Sequence, residues 1–375
     1  MKSLIPPLLQ IDLHFIDYKF ALLCFVTAFV VSLVSIPLVI MLVNKYRLHD
    51  IPDIRKDHAT PTPTLGGIAI IAGMIISLAF WFPFSPLSDE TITCFFSIAI
   101  LLVMGITDDV KNLSAKYKLI VEIALALLIA LSGTRITSFG GLFGLYELPI
   151  TTQYSFTILV IVGITNAFNL IDGIDGLAGG LSFMSLVTLG IFLTMSQDKT
   201  FALIAFALAG GILAFLYFNM NPAKIFMGDT GSLVLGFIIA ILCTRLIQAN
   251  SMAVQPLLRT APLFALGMVL VPVFDTMRVF ILRISKGQSP FSPDRTHIHH
   301  LLTNAGYSHG SSSKIICLIH GFILMQVYWL KEFRPEFILC TLLATMSIVT
   351  IAFNNIHKFK RRRKLNEQPV KYELS

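Results

Sequence analysis

Charged residues are scarce in this chain. Asp, Glu, Lys and Arg account for 13% of its 375 residues, whereas 55% are hydrophobic. A soluble domain carries about twice that share of charge, so the composition excludes a soluble globular enzyme and leaves no sizeable extramembrane domain. The first twenty residues also lack the order of a cleaved signal peptide, since Asp12, His14 and Asp17 interrupt them.

The chain also lacks internal repeats, low-complexity segments and cysteines with metal-ligand spacing. The cysteines fall in or beside apolar runs, where we expect small buried hydrophobes; they are Cys24, Cys94, Cys243, Cys317 and Cys340. The net charge of +7 comes from basic residues scattered over short loops without interleaved aromatics. That pattern is not a nucleic-acid footprint, so we expect no nucleic-acid partner.

What the chain has instead is long apolar runs. A helix needs about 20 apolar residues to cross a bilayer. Eleven runs approach that length: 21–43, 66–84, 91–106, 117–132, 153–169, 177–195, 201–218, 231–247, 260–283, 314–330 and 336–355. The pattern predicts an all-α, polytopic helical bundle of about eleven transmembrane helices.

Lysine and arginine are unevenly distributed between alternate loops, which predicts the orientation in the membrane. One set of loops holds most of them, including the tail run Lys358–Lys364. The other set holds only Lys2, Lys19, Arg135, Lys199, Arg259, Lys331 and Arg334. We therefore expect the C-terminus on the cytoplasmic side and the N-terminus on the periplasmic side.

The most informative segment places Asn166, Asn169, Asp172 and Asp175 at steps of three between two apolar runs. Carboxylates at a bilayer boundary cost free energy, so they usually bind an ion or take part in chemistry. Side chains three residues apart are neighbours on a helix, and Asp and Asn oxygens suit a hard cation such as magnesium. A turn built on the two Asp-Gly pairs is the alternative, but it leaves the two asparagines unexplained.

Two further clusters carry carboxylates. Asp108 and Asp109 point about 100° apart on a helix, so one can face a site while the other caps a helix or pairs with Lys111 or Lys118. Met227–Ser232 is a glycine-rich turn in which Asp229 can bind a metal. Its Thr230 or Ser232 can cap a helix N-terminus that favours phosphate. A solvated helix end and a plain capping turn are the respective alternatives.

A basic cluster, Ser292–His300, contains Arg295, His297, His299 and His300. Arg binds phosphate in a bidentate fork, and imidazoles donate to phosphate or sugar oxygens or bind metal. A zinc site competes with this interpretation, but no cysteine is near and the surroundings are rich in carboxylates. Lys118 can hold a lipid phosphate or extend to the interface. Asp275 and Arg278, three apart, predict a structural ion pair.

These clusters, together with His58–Gly67, fall on the loops expected on the cytoplasmic side. Together the clusters offer oxygen ligands for magnesium, an Arg/His loop for phosphates, an orienting carboxylate and access to the membrane. This combination predicts phosphoryl transfer onto a lipid. We expect residues 1–355 to form one transmembrane catalytic domain, followed by a basic tail, 356–375. Its active-site loops would be 44–65, 107–116, 170–176, 219–230 and 284–313.

The motifs Asp108-Asp109, Asn166–Leu177, Phe226–Ser232 and the His-rich loop, in this order, resemble the polyprenyl-phosphate N-acetylhexosamine-1-phosphate transferase family. The resemblance spans roughly residues 40–310. Ser289–Leu301 is most similar to the branch that uses N-acetylglucosamine, whereas Leu113–Leu119 is similar to the peptidoglycan branch.

The resemblance implies transfer of N-acetylglucosamine 1-phosphate from UDP-N-acetylglucosamine to undecaprenyl phosphate, a membrane lipid, with release of UMP. It implies Mg²⁺, with Mn²⁺ as a substitute, and the bacterial inner membrane. The product would start O-antigen, enterobacterial common antigen or a related surface polysaccharide. The resemblance does not decide whether the protein is a homodimer. It also leaves open whether the transfer takes one step or two.

The site residues that the resemblance implies fall into three groups. The metal ligand would be Asp229, with Asn169 as the second candidate. Asp108 would be a base or a nucleophile. The catalytic set would be Asp108, Asp109, Asp172 and Asp175. The substrate-binding set would be Lys118, Asn166, Arg295, His297, His299 and His300.

Three alternatives stay open at this point. The same chemistry could use another UDP-sugar, such as an N-acetylated deoxyhexosamine or UDP-muramyl-pentapeptide. A transporter would bury its polar site near the bilayer centre and often shows repeats, whereas these clusters lie at one face. A non-catalytic scaffold would tolerate Asp229→Asn.

Overall fold

The computed structural model describes residues 7–46, 49–50, 62–82, 87–289 and 296–366. Arg295, predicted to bind phosphate, and His58 lie outside these ranges. The helices are α1 Pro7–Tyr46, α2 Gly66–Trp81, α3 Asp89–Lys111, α4 Ala115–Leu131, α5 Ile150–Ile171, α6 Leu177–Met195, α7 Lys199–Asn219, α8 Asp229–Met252, α9 Ala261–Ser285, α10 Ile298–Asn304, α11 His309–Trp329 and α12 Pro335–Asn366. The strands are β1 His49–Asp50, β2 Thr62–Pro63, β3 Ser138–Leu142 and β4 Leu145–Glu147.

Each of the eleven predicted spans falls on one helix. Within the described ranges, nine helices are long and apolar enough to cross a membrane. The other two, α2 and α4, have 16 and 17 residues, which is short for a crossing without tilt or local thinning of the bilayer. The helical, multi-span architecture is confirmed. The number of crossings and the orientation of the termini remain predictions.

Helix α8 is the centre of the bundle. Of its apolar window, 94% is buried, against 22% for α1 and 28% for α12, and it packs on α2, α3, α5, α6 and α9. Glycines allow this close packing: a Cβ on Gly105 of α3 would lie 2.5 Å from Thr230 Cα. Small residues serve this purpose in membranes, where apolar surface alone does not drive helices together.

The bundle has two distinct ends. At the motif end, the C-terminal ends of α3, α5, α7 and α9 meet the N-terminal ends of α4, α6, α8 and α11. The opposite, hairpin end carries the antiparallel pair β3–β4, which the sequence analysis did not predict. There Glu336 accepts the Phe143 N–H at 2.8 Å, and Arg245 Nε donates to Asp198 at 2.8 Å. The polar motifs therefore lie at one end, as predicted.

Candidate active site

Asp109 joins α3 to the start of α8. Its carboxylate accepts the N–H of Asp229 at 2.8 Å and the N–H of Thr230 at 3.1 Å, and the Thr230 hydroxyl at 2.5 Å. The predicted cap by Thr230 or Ser232 is therefore wrong: the N-cap residue is Gly228, without a side-chain cap. A carboxylate from another helix satisfies the first amides of α8 instead, and its charge suits the positive end of the helix dipole.

Lys118 lies between two carboxylates. Its Nζ donates to Asp108 Oδ2 at 2.9 Å and to Asp229 Oδ2 at 2.8 Å. The other oxygen of Asp108 accepts the N–H of Leu113 at 2.6 Å, a bond that folds the α3–α4 turn back onto α3. Asp108 pairs with Lys118 and Asp109 caps a helix, two roles that the sequence analysis offered for one member of the pair. That one of them faces the reacting groups remains a prediction.

Two asparagines of α5 extend this cluster. Asn169 Nδ2 donates to Asp229 Oδ1 at 3.0 Å and to the Ser232 hydroxyl at 2.9 Å. Asn166 donates one turn earlier, to the carboxylate of Glu122 and to the carbonyl of Val162 at 3.0 Å. Glu122 is only 1% exposed, and the sequence analysis gave it no role. Its signal was a carboxylate inside an apolar helix, one turn after Lys118.

The two aspartates after α5 have opposite environments. Asp172 is partly buried among like charges, so burial first, and then Asp229, Asp109 and Asp175, raise its pKa to about 7. Burial also acts to raise the pKa of Asp175, but hydrogen bonds from His309, the Ala223 N–H and Asn221 outweigh it and lower that pKa. Asp175 therefore ties loops together, whereas Asp172 faces the acidic cluster without a compensating cation of its own among the described residues.

The His-rich loop is held by Asp275 of α9. This carboxylate, 1% exposed, accepts His297 Nδ1–H at 2.8 Å, the Ile298 N–H at 3.0 Å and the Arg278 guanidinium at 2.7 Å. Arg278 also donates to the Thr296 carbonyl at 2.5 Å. The predicted Asp275–Arg278 pair is confirmed. Sequence reasoning missed the bond between His297 and Asp275, although a carboxylate within an apolar span indicates further polar partners.

His299 and His300 continue the histidine cluster. The His299 ring stacks parallel to that of His297 and lies 4.2 Å from that of His300, centroid to centroid. It is 1% exposed, and a Cβ on Gly173 would lie 2.5 Å from its Nε2. Burial and the neighbouring histidines lower the pKa of His299 to about 3. His299 is therefore neutral and supports the turn that carries Asp172.

The acidic cluster supplies some, but not all, of the ligands that a bound cation needs. Counted as ionised, Asp108, Asp109, Asp172 and Asp229 bring four negative charges against the one ammonium of Lys118. The oxygen donors suit a hard cation. Within the described ranges, however, no three His, Cys, Asp or Glu side chains form a ready-made metal site. Magnesium is typically bound by one or two carboxylates, waters and substrate phosphates, and that Asp229 holds it remains a prediction.

Known proteins are similar to this chain over most of its length. The profile of glycosyl transferase family 4 matches residues 91–247, which include the Asp-Asp pair, the Asn166–Asp175 segment and Asp229. The probable undecaprenyl-phosphate N-acetylglucosaminyl 1-phosphate transferase of Bacillus subtilis is 35% identical over 92% of this chain and 97% of its own length.

The chain belongs to glycosyl transferase family 4.

Further relatives in this family are somewhat more distant. The undecaprenyl-phosphate alpha-N-acetylglucosaminyl 1-phosphate transferases of Escherichia coli K12 and Yersinia pestis are 30% and 31% identical, each over 80% of this chain and 81% of their own length. The resemblance inferred from the motifs is thus confirmed, and the chain is a multi-pass membrane protein of the polyprenyl-phosphate sugar-1-phosphate transferase class. The roles assigned to single residues remain predictions.

The opposite environments of Asp172 and Asp175 predict opposite pH effects on stability. A carboxyl whose folded pKa is raised stabilises the fold below its unfolded pKa, and that contribution is lost as pH rises through the folded value. In EDTA, the Tm of Asp172→Asn relative to the parent should therefore rise by a few degrees from pH 5 to pH 8. Thermal unfolding of detergent-solubilised protein measures this difference.

Asp175→Asn is the matched control. A lowered folded pKa stabilises the fold above the unfolded pKa and loses that effect only in acid. Because histidines exchange a proton in this pH range and His309 lies 3.6 Å from Asp175, the control is made in a His309→Gln background. There Asp175→Asn should lower the Tm by an amount that stays constant between pH 5 and pH 8. If the Tm difference from the parent were the same for both variants and independent of pH, Asp172 would not belong to the uncompensated acidic cluster.

Gly173→Ala tests the contact between the Asp172 turn and His299. The added methyl would meet the imidazole, and moving it moves the turn, so we expect kcat/KM to fall roughly tenfold, about 1.4 kcal/mol in the transition state. Gly163→Ala on α5 is the control, because a Cβ there meets nothing within 4 Å. If both variants have the same activity in a steady-state assay, His299 does not support the turn.

Proposed function

We propose that the protein transfers N-acetylglucosamine 1-phosphate from UDP-N-acetylglucosamine to undecaprenyl phosphate, giving undecaprenyl-diphosphate-N-acetylglucosamine and UMP. The observation that carries the proposal is the Lys118 ammonium held between Asp108 and Asp229 at the motif end of the bundle. An anionic lipid head could reach this cation from the membrane, and the histidine cluster lies against Gly173, the residue after Asp172. The names of the relatives give the same acceptor, undecaprenyl phosphate, and the same transferred group, N-acetylglucosaminyl 1-phosphate.

The transfer proceeds in one displacement. An oxygen of the lipid phosphate bonds to the β-phosphorus of the nucleotide sugar, the bond from that phosphorus to the bridging oxygen breaks, and UMP leaves with that oxygen. Any proton on the attacking phosphate passes to the Asp108 carboxylate. Both oxygens of Asp108 already accept hydrogen bonds, which favours a base that orients the phosphate over a nucleophile. Positioning and charge stabilisation supply most of the rate enhancement in such reactions.

A divalent cation belongs to the proposal because of the charge balance. Four carboxylates against one ammonium repel a diphosphate, which brings further negative charge. Asp229 would hold Mg²⁺, with Mn²⁺ as a substitute, and Asn169 would orient that carboxylate through its bond to Oδ1. When bound, the metal would neutralise charge that develops on the phosphates. Asp109 contributes indirectly, since it fixes the backbone of Asp229.

The proposed orientation puts the motif end on the cytoplasmic side of the bacterial inner membrane. Lys111, Lys116, Lys224 and Lys286 lie next to motif-end helix termini, and the positive-inside rule favours the cytoplasm for such an end. The product would then be the first lipid-linked intermediate of O-antigen, enterobacterial common antigen or a related surface polysaccharide.

Radiolabelled UDP-N-acetylglucosamine, undecaprenyl phosphate and Mg²⁺, incubated with detergent-solubilised protein, test the reaction. We expect label in the lipid phase, one UMP per lipid product, and no product in EDTA. Unlabelled UDP-muramyl-pentapeptide and other UDP-N-acetylhexosamines serve as competitors. Folded protein that releases no UMP with this sugar but does so with a competitor would contradict the proposed sugar and retain the reaction class.

A further inference from the structure

The hairpin end of the bundle contains a cavity of about 660 Å³. It lies between the β3–β4 hairpin, the start of α5, the end of α8 and the loop that leads into α9. Helix α8 begins at Asp229 and has 24 residues, so its other end lies about 35 Å from the acidic cluster. A molecule bound in this cavity is therefore too far away to react at the motif end.

One buried side chain of the cavity wall has an unused hydrogen-bond acceptor. Gln153 of α5 lines the cavity and is only 8% exposed. Its amide nitrogen donates to the carbonyl of Leu148 at 2.9 Å, which fixes the orientation of the amide. Its Oε1 has no hydrogen-bond partner among the residues that the structure describes. Buried polar atoms usually have a partner, so this oxygen favours an occupant that carries a hydrogen-bond donor.

Two opposite charges also line the cavity without pairing with each other. Glu147 is the last residue of β4, and Arg259 lies two residues before α9. The Arg259 guanidinium donates to the backbone carbonyl of Glu332 at 3.1 Å, and within the described ranges it has no carboxylate partner. Glu147 has no cationic partner in that part of the chain either. One cavity that presents both charges separately matches an occupant with both an anionic and a cationic group.

The cavity lies at the depth of the lipid headgroups. Helix α8 ends at Met252 and α9 begins at Ala261. Both helices are long and apolar enough to cross a membrane, so their ends lie near its surface. Tyr146, which is exposed in the cavity wall, belongs to a residue type that is enriched at this depth. A zwitterionic phospholipid therefore fits both the position of the cavity and its charges.

We propose that this cavity binds the head of a phospholipid with a primary ammonium, such as phosphatidylethanolamine. The ammonium donates to the Glu147 carboxylate and to Gln153 Oε1, and the phosphate accepts the Arg259 guanidinium. Such charge-assisted hydrogen bonds are roughly twice as strong as neutral ones. A phosphatidylcholine head has the same charges but no N–H, and a phosphatidylglycerol head has no cation. The cavity should therefore prefer phosphatidylethanolamine to both of these lipids.

The test measures binding of these three lipids, with identical acyl chains, to detergent-solubilised protein by native mass spectrometry. We expect the parent to bind phosphatidylethanolamine about tenfold more tightly than the other two. In Glu147→Gln this preference should fall to about threefold or less, because a neutral amide replaces the charge that the ammonium contacts. Arg259→Gln should weaken all three lipids, since each carries a phosphate. Asp89→Asn is the matched control, because Asp89 is exposed at the same end and outside the cavity; it should leave the preference unchanged.

Glycerophosphoethanolamine, which has the same head without acyl chains, distinguishes a lipid from a soluble ligand. Much weaker binding of this compound supports a lipid, whereas binding as tight as that of phosphatidylethanolamine would mean that a soluble zwitterion occupies the cavity. The inference is also overturned if the parent binds the three lipids equally, or if Glu147→Gln or Arg259→Gln binds them as the parent does. None of these measurements depends on turnover, so their outcome is independent of the proposed transfer reaction.

Discussion

Replacing Asp229 by Asn is expected to reduce turnover about a thousandfold while the protein stays folded. The carboxylate accepts Lys118 through one oxygen and Asn169 through the other. A neutral amide keeps the shape but removes the charge that holds the ammonium in place and that would bind magnesium. The loss should appear in single-turnover transfer of label to lipid, and therefore in the chemical step.

Asp198→Asn is the matched control for this variant. Asp198 also accepts a cation at 2.8 Å, Arg245 Nε, but at the hairpin end of the bundle. Both variants remove one charge from an ion pair, so both lower stability, whereas only Asp229→Asn should lose activity. Equal activity losses would mean that the effect is general destabilisation. Full activity of Asp229→Asn would show that the reaction does not need this carboxylate.

A second readout for Asp229→Asn does not depend on turnover. A ligand that binds only the folded state raises its Tm, so Mg²⁺ should raise the Tm of the parent. The shift should be lost in Asp229→Asn and kept in Asp198→Asn. If Mg²⁺ raised the Tm of Asp229→Asn as much as that of the parent, the metal would be bound by other residues, even if turnover were lost.

The sequence predicts the helices because hydropathy is a local property. All eleven apolar runs became helices, but α8 extends over Asp229–Met252, beyond the predicted 231–247. Its glycine-rich start is already helical because Asp109, 120 residues earlier, caps it. Propensity cannot reveal this, since the cap exists only after α3 and α8 have packed together.

The candidate site shows the same limit. Hydropathy and charge predicted Asp108, Asn169 and Asp229 at one end of the bundle. The structure joins Asp108 to Asp229 through Lys118, and Asn169 bonds Asp229 directly. The contact of Asp275 with His297 was not predicted, because its partners are 22 residues apart in sequence and a nearer one, Arg278, explained the charge. Residue types indicate which side chains take part in chemistry, whereas their pairing depends on the tertiary fold.

Gly228→Ala is the second change with a large expected effect. Gly228 has a φ of 71° and a ψ of 173°, a conformation that is essentially restricted to glycine and costs other residues about 1–3 kcal/mol. Its Cβ would also collide with the carboxylate of Asp109. Asp109 would then release the first amides of α8, and Asp229 would move relative to Lys118. A displacement of about 1 Å can cost a hundredfold in rate, so we expect at least that loss, together with a lower Tm.

Gly144→Ala separates the effect of the strained backbone from the effect of the collision with Asp109. Gly144 has a φ of 76°, but a Cβ there meets nothing within 4 Å, and it lies in the β3–β4 turn at the hairpin end. This variant has a similar φ without the collision, so its Tm should fall by a smaller amount and its turnover should match the parent. If Gly228→Ala lost no more activity than Gly144→Ala, the joint between Asp109 and the start of α8 would not position Asp229. A selective loss would show that this joint holds the carboxylate in register with Lys118.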